Sequence, residues 1–286
     1  MFPEDGDSVL IQTGGIEIVT YDVSLASTTV RCLESNQQLL MTGGTLSVLE
    51  TGTIKSRLKV IGGSLKVTGS LRVADAQDND IPLLHRWSFN SDANDSIGNA
   101  NASLANGAVL GGGVVSLDGT DQYVALPIQD TLSTRSSSTI EIWMTLDSFS
   151  TWARIFDFGN NTQVNFFATP RGDAGVLRAA ITTGGNPTEE RVEGDDELPT
   201  GVSVHFALTI DSANHTTVMY VDGSPVGSAT WTLDTAALGT LANIWLGRSQ
   251  YEDPYFNGNF DEVRIYGRAL TAQSISQSYT AGPDGL

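Results

Sequence analysis

A chain of 286 residues with a formal net charge of −18 is long enough for one large domain plus a smaller element. Its acidity disfavours nucleic acid and anionic membranes as partners and suits cations and neutral glycans. The single cysteine, Cys32, excludes an intrachain disulfide, and no apolar run is long enough for a membrane-spanning helix.

The N-terminus, Met1 to Asp7, lacks a basic region followed by an apolar run and does not read as a secretory signal. Two readings follow: a signal removed from a longer chain, or a protein assembled inside a cell, as a virion component is. Residues 1–80 carry a loose repeat. Gly14-Gly15-Ile16-Glu17-Ile18, Gly43-Gly44-Thr45-Leu46-Ser47-Val48 and Gly62-Gly63-Ser64-Leu65-Lys66-Val67 share glycines followed by apolar alternation. Gly52-Thr53-Ile54 and Gly69-Ser70-Leu71-Arg72-Val73 vary the theme with one glycine. Such spacing predicts short strands in a glycine-rich β arm, stacked as solenoid rungs or laid out as a meander. Stacked rungs expose edges, so the arm is expected to anchor or oligomerise the chain.

Lys55, Arg57 and Lys59 alternate with apolar or small residues, as do Lys66 and Arg72, so all five charges should face outward. Outward lysines on strands also guard against aggregation. As a partner-binding stripe they would suit the acidic surface of a neighbouring copy.

Asp75 to Pro82 is polar and reads as a linker. The second predicted domain, 81–286, holds all five tryptophans. Strands are expected over 84–89, 114–117, 123–126, 139–146, 154–158, 165–168, 176–182, 202–211, 216–221, 243–247 and 259–266. A short helix over 271–279 would be capped by Thr271. Many short strands separated by turns predict an all-β, two-sheet sandwich. In the last strand, alternation would group Phe260, Glu262, Arg264 and Tyr266 on one face and Asp261, Val263 and Ile265 on the other. Asp261 would then point to the buried side, where a carboxylate needs compensation such as a cation.

Several segments resemble the laminin-G-like, concanavalin A-like jelly roll in its own order. They include Trp87-Ser88-Phe89 with Asp95-Ser96-Ile97-Gly98-Asn99, then Leu117-Asp118-Gly119 through Tyr123, and Thr139-Ile140-Glu141-Ile142-Trp143-Met144. Arg154-Ile155-Phe156-Asp157-Phe158-Gly159, the Tyr220-Val221-Asp222-Gly223 hairpin, Leu246-Gly247-Arg248-Ser249 and Phe260-Asp261-Glu262-Val263-Arg264-Ile265-Tyr266 complete the series. The resemblance covers residues 83 to about 280. It implies a jelly roll and, for most members, binding rather than catalysis. Where many members have Trp-His-His before a strand, only His205 remains.

The resemblance also implies that Asp95 and Asp261 approach each other, with Asn99 nearby, as a structural Ca2+ site. The competing reading is that Asp95 and Asn99 make turn hydrogen bonds. Three scattered histidines do not suggest zinc.

For glycans, Tyr251-Glu252-Asp253-Pro254-Tyr255-Phe256-Asn257 combines aromatic faces with polar partners, and Trp152 lies beside Arg154 in another loop. The same aromatics could instead cover a sheet edge. Glucan-cleaving relatives carry two or three acids on one strand face; here Glu141 stands alone, followed by Trp143 and Thr145. Glu189-Glu190 and Asp195-Asp196-Glu197 lie in a Gly/Pro-containing loop and read as solvated acids. No catalytic role is therefore assigned.

The expected function is a non-enzymatic surface-binding or structural protein, foremost a phage virion component: a tail fibre, spike or capsid decoration. It would assemble from its own copies, with a trimer expected, and bind glycan or a cell surface without nucleic acid or membrane insertion. The alternative is a secreted bacterial carbohydrate-binding or adhesion module, with a glucan hydrolase as the third class. Localisation would be the virion surface or the extracellular space.

Overall fold

The computed structural model describes residues 7–11, 18–21, 27–35, 38–54, 58–60, 64–73 and 83–285. The chain divides into two units, Met1–Asp80 and Ile81–Leu286.

In the first unit the glycine-punctuated segments form eight strands. They are β1 (Asp7–Ile11), β2 (Ile18–Tyr21), β3 (Ser27–Ser35), β4 (Gln38–Met41), β5 (Thr45–Ile54), β6 (Leu58–Val60), β7 (Ser64–Val67) and β8 (Ser70–Val73). One sheet runs β1-β3-β5 with β7 and β8 both on β5, and the other runs β2-β4-β6. Every pairing is parallel, and successive strands from β1 to β7 alternate between the sheets. A meander would pair neighbours antiparallel, so that reading falls and stacked solenoid rungs remain. Val30, Leu33, Met41, Leu46 and Val48 are buried. Gly69 has a packing reason: a Cβ there would lie 1.7 Å from the carbonyl oxygen of Glu50 on the rung before.

The second unit contains β9 (Leu83–Trp87), β10 (Ser103–Ala105), β11 (Val109–Gly111), β12 (Val114–Asp118), β13 (Tyr123–Ala125), β14 (Ser138–Ser148), β15 (Phe156–Gly159) and β16 (Asn165–Thr169). It continues with β17 (Arg178–Thr182), β18 (Glu190–Glu193), β19 (Ser203–Asp211), β20 (Thr216–Val221), β21 (Ser224–Thr230), β22 (Asn243–Leu246), β23 (Asn257–Tyr266) and α1 (Ala272–Ala281). The front sheet orders β11-β12-β23-β14-β19-β20-β21, with β9 also on β23; the back sheet orders β10-β13-β22-β15-β16-β17-β18. These strands pair antiparallel, giving a two-sheet concanavalin A-like sandwich.

Alternation explains the core. On β14, Ile140, Ile142, Met144 and Leu146 enter it, opposite Phe156, Phe158 and Phe166 of the back sheet. The Asp222-Gly223 turn joining β20 to β21 has positive φ at both residues, 48° and 74°, as the sequence leads one to expect of an Asp-Gly hairpin. Thr271 caps α1, its side chain accepting from the Ser274 N–H. The helix lies on the outer face of the front sheet, where Ile275 packs with Ala207, Tyr220, Tyr266 and Leu270. Among the described residues no helix is long and apolar enough to cross a membrane.

One predicted face is wrong. Trp143 pairs with Glu262 and Met144 with Phe260, leaving Asp261 as the extra residue of a β-bulge. The bulge resets the alternation. Phe260 joins Val263 and Ile265 in the core, while Glu262, Arg264 and Tyr266 face outward under α1. Asp261 itself is half-buried rather than inserted among apolar side chains.

Candidate functional site

The outer face of the back sheet carries the candidate site. On β22, Ile244 and Leu246 point into the core, so Asn243 and Trp245 point out; Tyr123 lies outward on neighbouring β13. The chain then turns at Gly247, whose φ of +81° and a Leu117 methyl 2.4 Å from any added Cβ leave room for glycine alone. The following loop, 248–255, is closed at its base by the Phe256 N–H donating to Gly247 O at 3.0 Å. Phe256 is buried against Phe260, with ring centroids 4.6 Å apart.

Between this loop, Asn160 and Asn161 of the β15–β16 turn, and β22 lies a cleft of about 540 Å³. Its walls include Trp245, Arg248, Tyr251, Glu252, Asp253 and Tyr255. Most of its polar groups hold the shape. The Tyr251 hydroxyl donates to Thr162 O at 2.9 Å, Asn243 Nδ2 to Gln250 Oε1 at 3.0 Å, and the Ala242 N–H to Asn160 Oδ1 at 2.7 Å. Asp253 accepts from Ser249 Oγ at 2.8 Å and pairs with Arg154 Nη2 at 2.9 Å. Three groups stay free among the described residues: the Arg248 guanidinium, the Glu252 carboxylate and the Tyr255 hydroxyl. Arg248 stacks 4.1 Å from the Trp245 ring centre and 4.7 Å from that of Tyr123.

Behind the cleft, Asp157 is fully buried. Its Oδ2 accepts from the Gln250 N–H at 3.0 Å and from Arg154 Nε at 3.3 Å, while Oδ1 has no partner. Burial pushes its carboxyl up to about 6, against the opposing pull of Arg154. Burial also raises Glu189, opposed by Arg178, Arg154 and Arg191. Glu190, expected in a solvated loop, instead opens strand β18 and accepts from the backbone N–H groups of Thr232 and Leu233.

Of the seven residues predicted to touch glycan, Tyr251, Glu252, Asp253 and Tyr255 line the cleft. Three do not. Phe256 is a core residue, because its N–H anchors the loop base and turns its ring inward. Asn257 lies in β23 and donates to Ser148 Oγ at 2.8 Å. Trp152 stacks on Arg178 and Arg154, at 5.0 and 5.6 Å, outside the cleft lining. Sequence reasoning missed Trp245 and Arg248. The usable signal was Asn-Ile-Trp-Leu, an amphipathic strand with a tryptophan on its polar side.

The predicted calcium set does not fit as arranged. Asp95 Oδ1 accepts from the N–H groups of Arg86, Ile97 and Gly98, and Oδ2 from Ala100 N–H and, at 2.6 Å, His85 Nδ1. Five donors leave its lone pairs spent. Although burial opposes ionisation, these bonds, led by that from His85, hold the carboxyl below its usual range. Asn99 is exposed. Asp261 is raised by burial and by the like charges of Asp284 and Glu262. Among the described residues no group of three or more His, Cys, Asp or Glu side chains is placed to hold a metal.

Of the predicted basic stripe, Lys55 and Arg57 lie outside the described residues, as does the 75–82 linker. Lys59 belongs to β6 in one sheet, whereas Lys66 and Arg72 belong to β7 and β8 in the other. Lys66 is exposed.

No curated protein matches this chain. Among solved structures, domain 4 of AbnA, a GH43 extracellular arabinanase from Geobacillus stearothermophilus in complex with arabinotriose, is similar at 24% identity and a TM-score of 0.59. The match covers 69% of this chain and 98% of that one. The Ruminococcus gnavus IT-sialidase CBM40 bound to α2,3-sialyllactose is similar at 16% identity and a TM-score of 0.50, over 57% of this chain and 95% of that one. A Trypanosoma rangeli sialidase, in complex with 2,3-difluorosialic acid as a covalent intermediate, matches at 17% identity and a TM-score of 0.54, over 69% of this chain but 32% of its own. A laminin-G family model matches residues 118–276, and the chain accordingly belongs to the concanavalin A-like lectin/glucanases superfamily.

Proposed function

We propose that the jelly roll is a non-catalytic glycan-binding module and that the solenoid arm holds copies of it together. The observation that carries the reading is the cleft itself. It is walled by Trp245, Tyr251 and Tyr255, bordered by a loop pinned by hydrogen bonds, and keeps free donors and acceptors at Arg248, Tyr255 and Glu252. Carbohydrate sites combine aromatic surface with a few convergent polar groups in this way. Similar domains bound to arabinotriose and sialyllactose support it.

A glycan array on the wild type, followed by titration of hits on Tyr255→Ala and Trp245→Ala, tests the reading. Both substitutions should weaken binding while the melting temperature of Tyr255→Ala stays unchanged. A Tyr255→Ala protein that binds every hit as the wild type does would retire the site. Single modules of this size bind weakly, so an oligomer gains through avidity. Display on a virion, as fibre, spike or capsid decoration, and display as a secreted adhesion module use the same site. A native particle of fixed symmetry, trimeric as expected, favours the first setting.

A further inference from the structure

Accepting the cleft as a glycan site, we propose that it selects sugars bearing a carboxylate, of the hexuronate or sialic-acid type, through the guanidinium of Arg248.

The chain is strongly acidic, with 33 Asp and Glu against 15 Lys and Arg. Five of the nine arginines of the jelly roll are claimed by carboxylates. Arg86 pairs with Glu262, Arg154 with Asp157 and Asp253, Arg171 with Glu197, Arg178 with Asp173 and Glu193, and Arg264 with Glu262. Arg248 makes no ion pair or hydrogen bond among the described residues, although Glu252 and Asp253 line the same cleft. Asp253 is already committed to Arg154 and Ser249.

Two aromatic rings hold Arg248 instead. Trp245 and Tyr123, 5.8 Å apart and edge-on at 67°, both contact the guanidinium. No oxygen of the described residues accepts from the guanidinium, so its N–H groups remain available to a ligand. Their planar fork matches a carboxylate with two parallel hydrogen bonds, a geometry that hydroxyls of a neutral sugar meet less well. The rings also fix the side chain in advance, which lowers the ordering cost of binding. Because Arg248 covers Trp245, a sugar entering here meets the cation, with Tyr255 left as the stacking surface. Exposed Glu252 at the same cleft would repel an anionic ligand and so tempers its affinity.

The test is titration of trigalacturonic acid and 3′-sialyllactose against the neutral controls arabinotriose and lactose, using the full chain at low and high salt. Acidic sugars should bind tighter than neutral ones by roughly tenfold or more, the usual range for a charge-assisted pair. That preference should shrink as salt rises. Arg248→Gln should remove it, Arg248→Lys should restore only part, and Glu252→Gln should strengthen acidic ligands alone. If Arg248→Gln fails to fold, the salt dependence and Glu252→Gln still decide. Equal binding of neutral and acidic sugars, or an unchanged preference in Glu252→Gln and high salt, overturns the inference while leaving the glycan site intact. No binding of any sugar defeats both.

Discussion

The Tyr266 hydroxyl donates to Glu141 Oε2 at 3.0 Å, in the buried seam between strands β14 and β23. Ser278 of α1 donates to the same oxygen at 3.0 Å, so the helix closes over the carboxylate. His205 Nε2 stands 3.4 Å from Oε1, its ring stacked between Trp143 and Tyr279. Glu141 is fully buried beneath helix α1. The residue is a fastener.

Glu141→Ala should therefore destabilise the jelly roll by about 3 kcal/mol, since two hydroxyls lose their buried acceptor together. Denaturant melts at neutral pH measure this. Sugar titration below the midpoint should be unaffected, and a loss of binding in a folded Glu141→Ala protein would contradict the assignment.

Asp95 is the second fastener. It gathers four backbone N–H groups and His85, whose Nε2 lies 2.9 Å from Thr131 Oγ1, tying β9 to the 129–135 segment. Asp95→Ala should cost about 3 kcal/mol or more. Because protein donors occupy both oxygens, the loss should be the same with and without a chelator. A wild-type melting temperature that falls on chelation, with Asp95→Ala no longer responding, would restore the cation reading.

Asp157 makes a pH prediction with a definite sign. Its folded value, about 6, lies above the ordinary 3.8 of an unfolded aspartate. Below pH 3.8 both states hold the proton and burial carries no penalty. As pH rises from there to about 6, the unfolded chain releases its proton first, so stability falls, by about 3 kcal/mol from this group. Asp157→Asn should abolish that part of the slope. Its melting temperature, relative to wild type, should climb between pH 4 and pH 6.5 and then level off; a constant difference would show that Asp157 ionises normally.

The arm should govern assembly. Its terminal strands β6, β7 and β8 each lack a partner on one side among the described residues, and unpaired edges invite another chain. Light scattering on the full chain should report an oligomer and on residues 81–286 a monomer. A monomeric full chain whose first 80 residues resist protease would refute this.

Much of the jelly roll was legible because its core residues alternate without interruption: β14, β19 and β20 lie within a residue or two of their predicted spans. Short β10, β11 and β18 were not, since three or four residues offer too little pattern. Asp261 was misplaced because a bulge adds one residue and reverses every face before it. No local signal in Phe-Asp-Glu-Val announces that. The site was half legible. Aromatic and acidic residues marked the loop, but only the back sheet reveals that Trp245 and Tyr123 converge on Arg248, and that Phe256 turns inward.

The register of the arm has a consequence for how such a chain can change. Thr45 sits beside Ser64 and Thr51 beside Ser70, a spacing of nineteen residues in the last rungs; earlier rungs differ, with Ser27 eighteen before Thr45 and Ser8 twenty-four before Cys32. Each strand advances the stack by the inter-strand spacing, about 4.8 Å. Duplicating or deleting one nineteen-residue unit would lengthen or shorten the arm by that step and preserve every register below it. The arm is thus a graduated ruler: its reach can be tuned by whole marks, independently of what the jelly roll recognises.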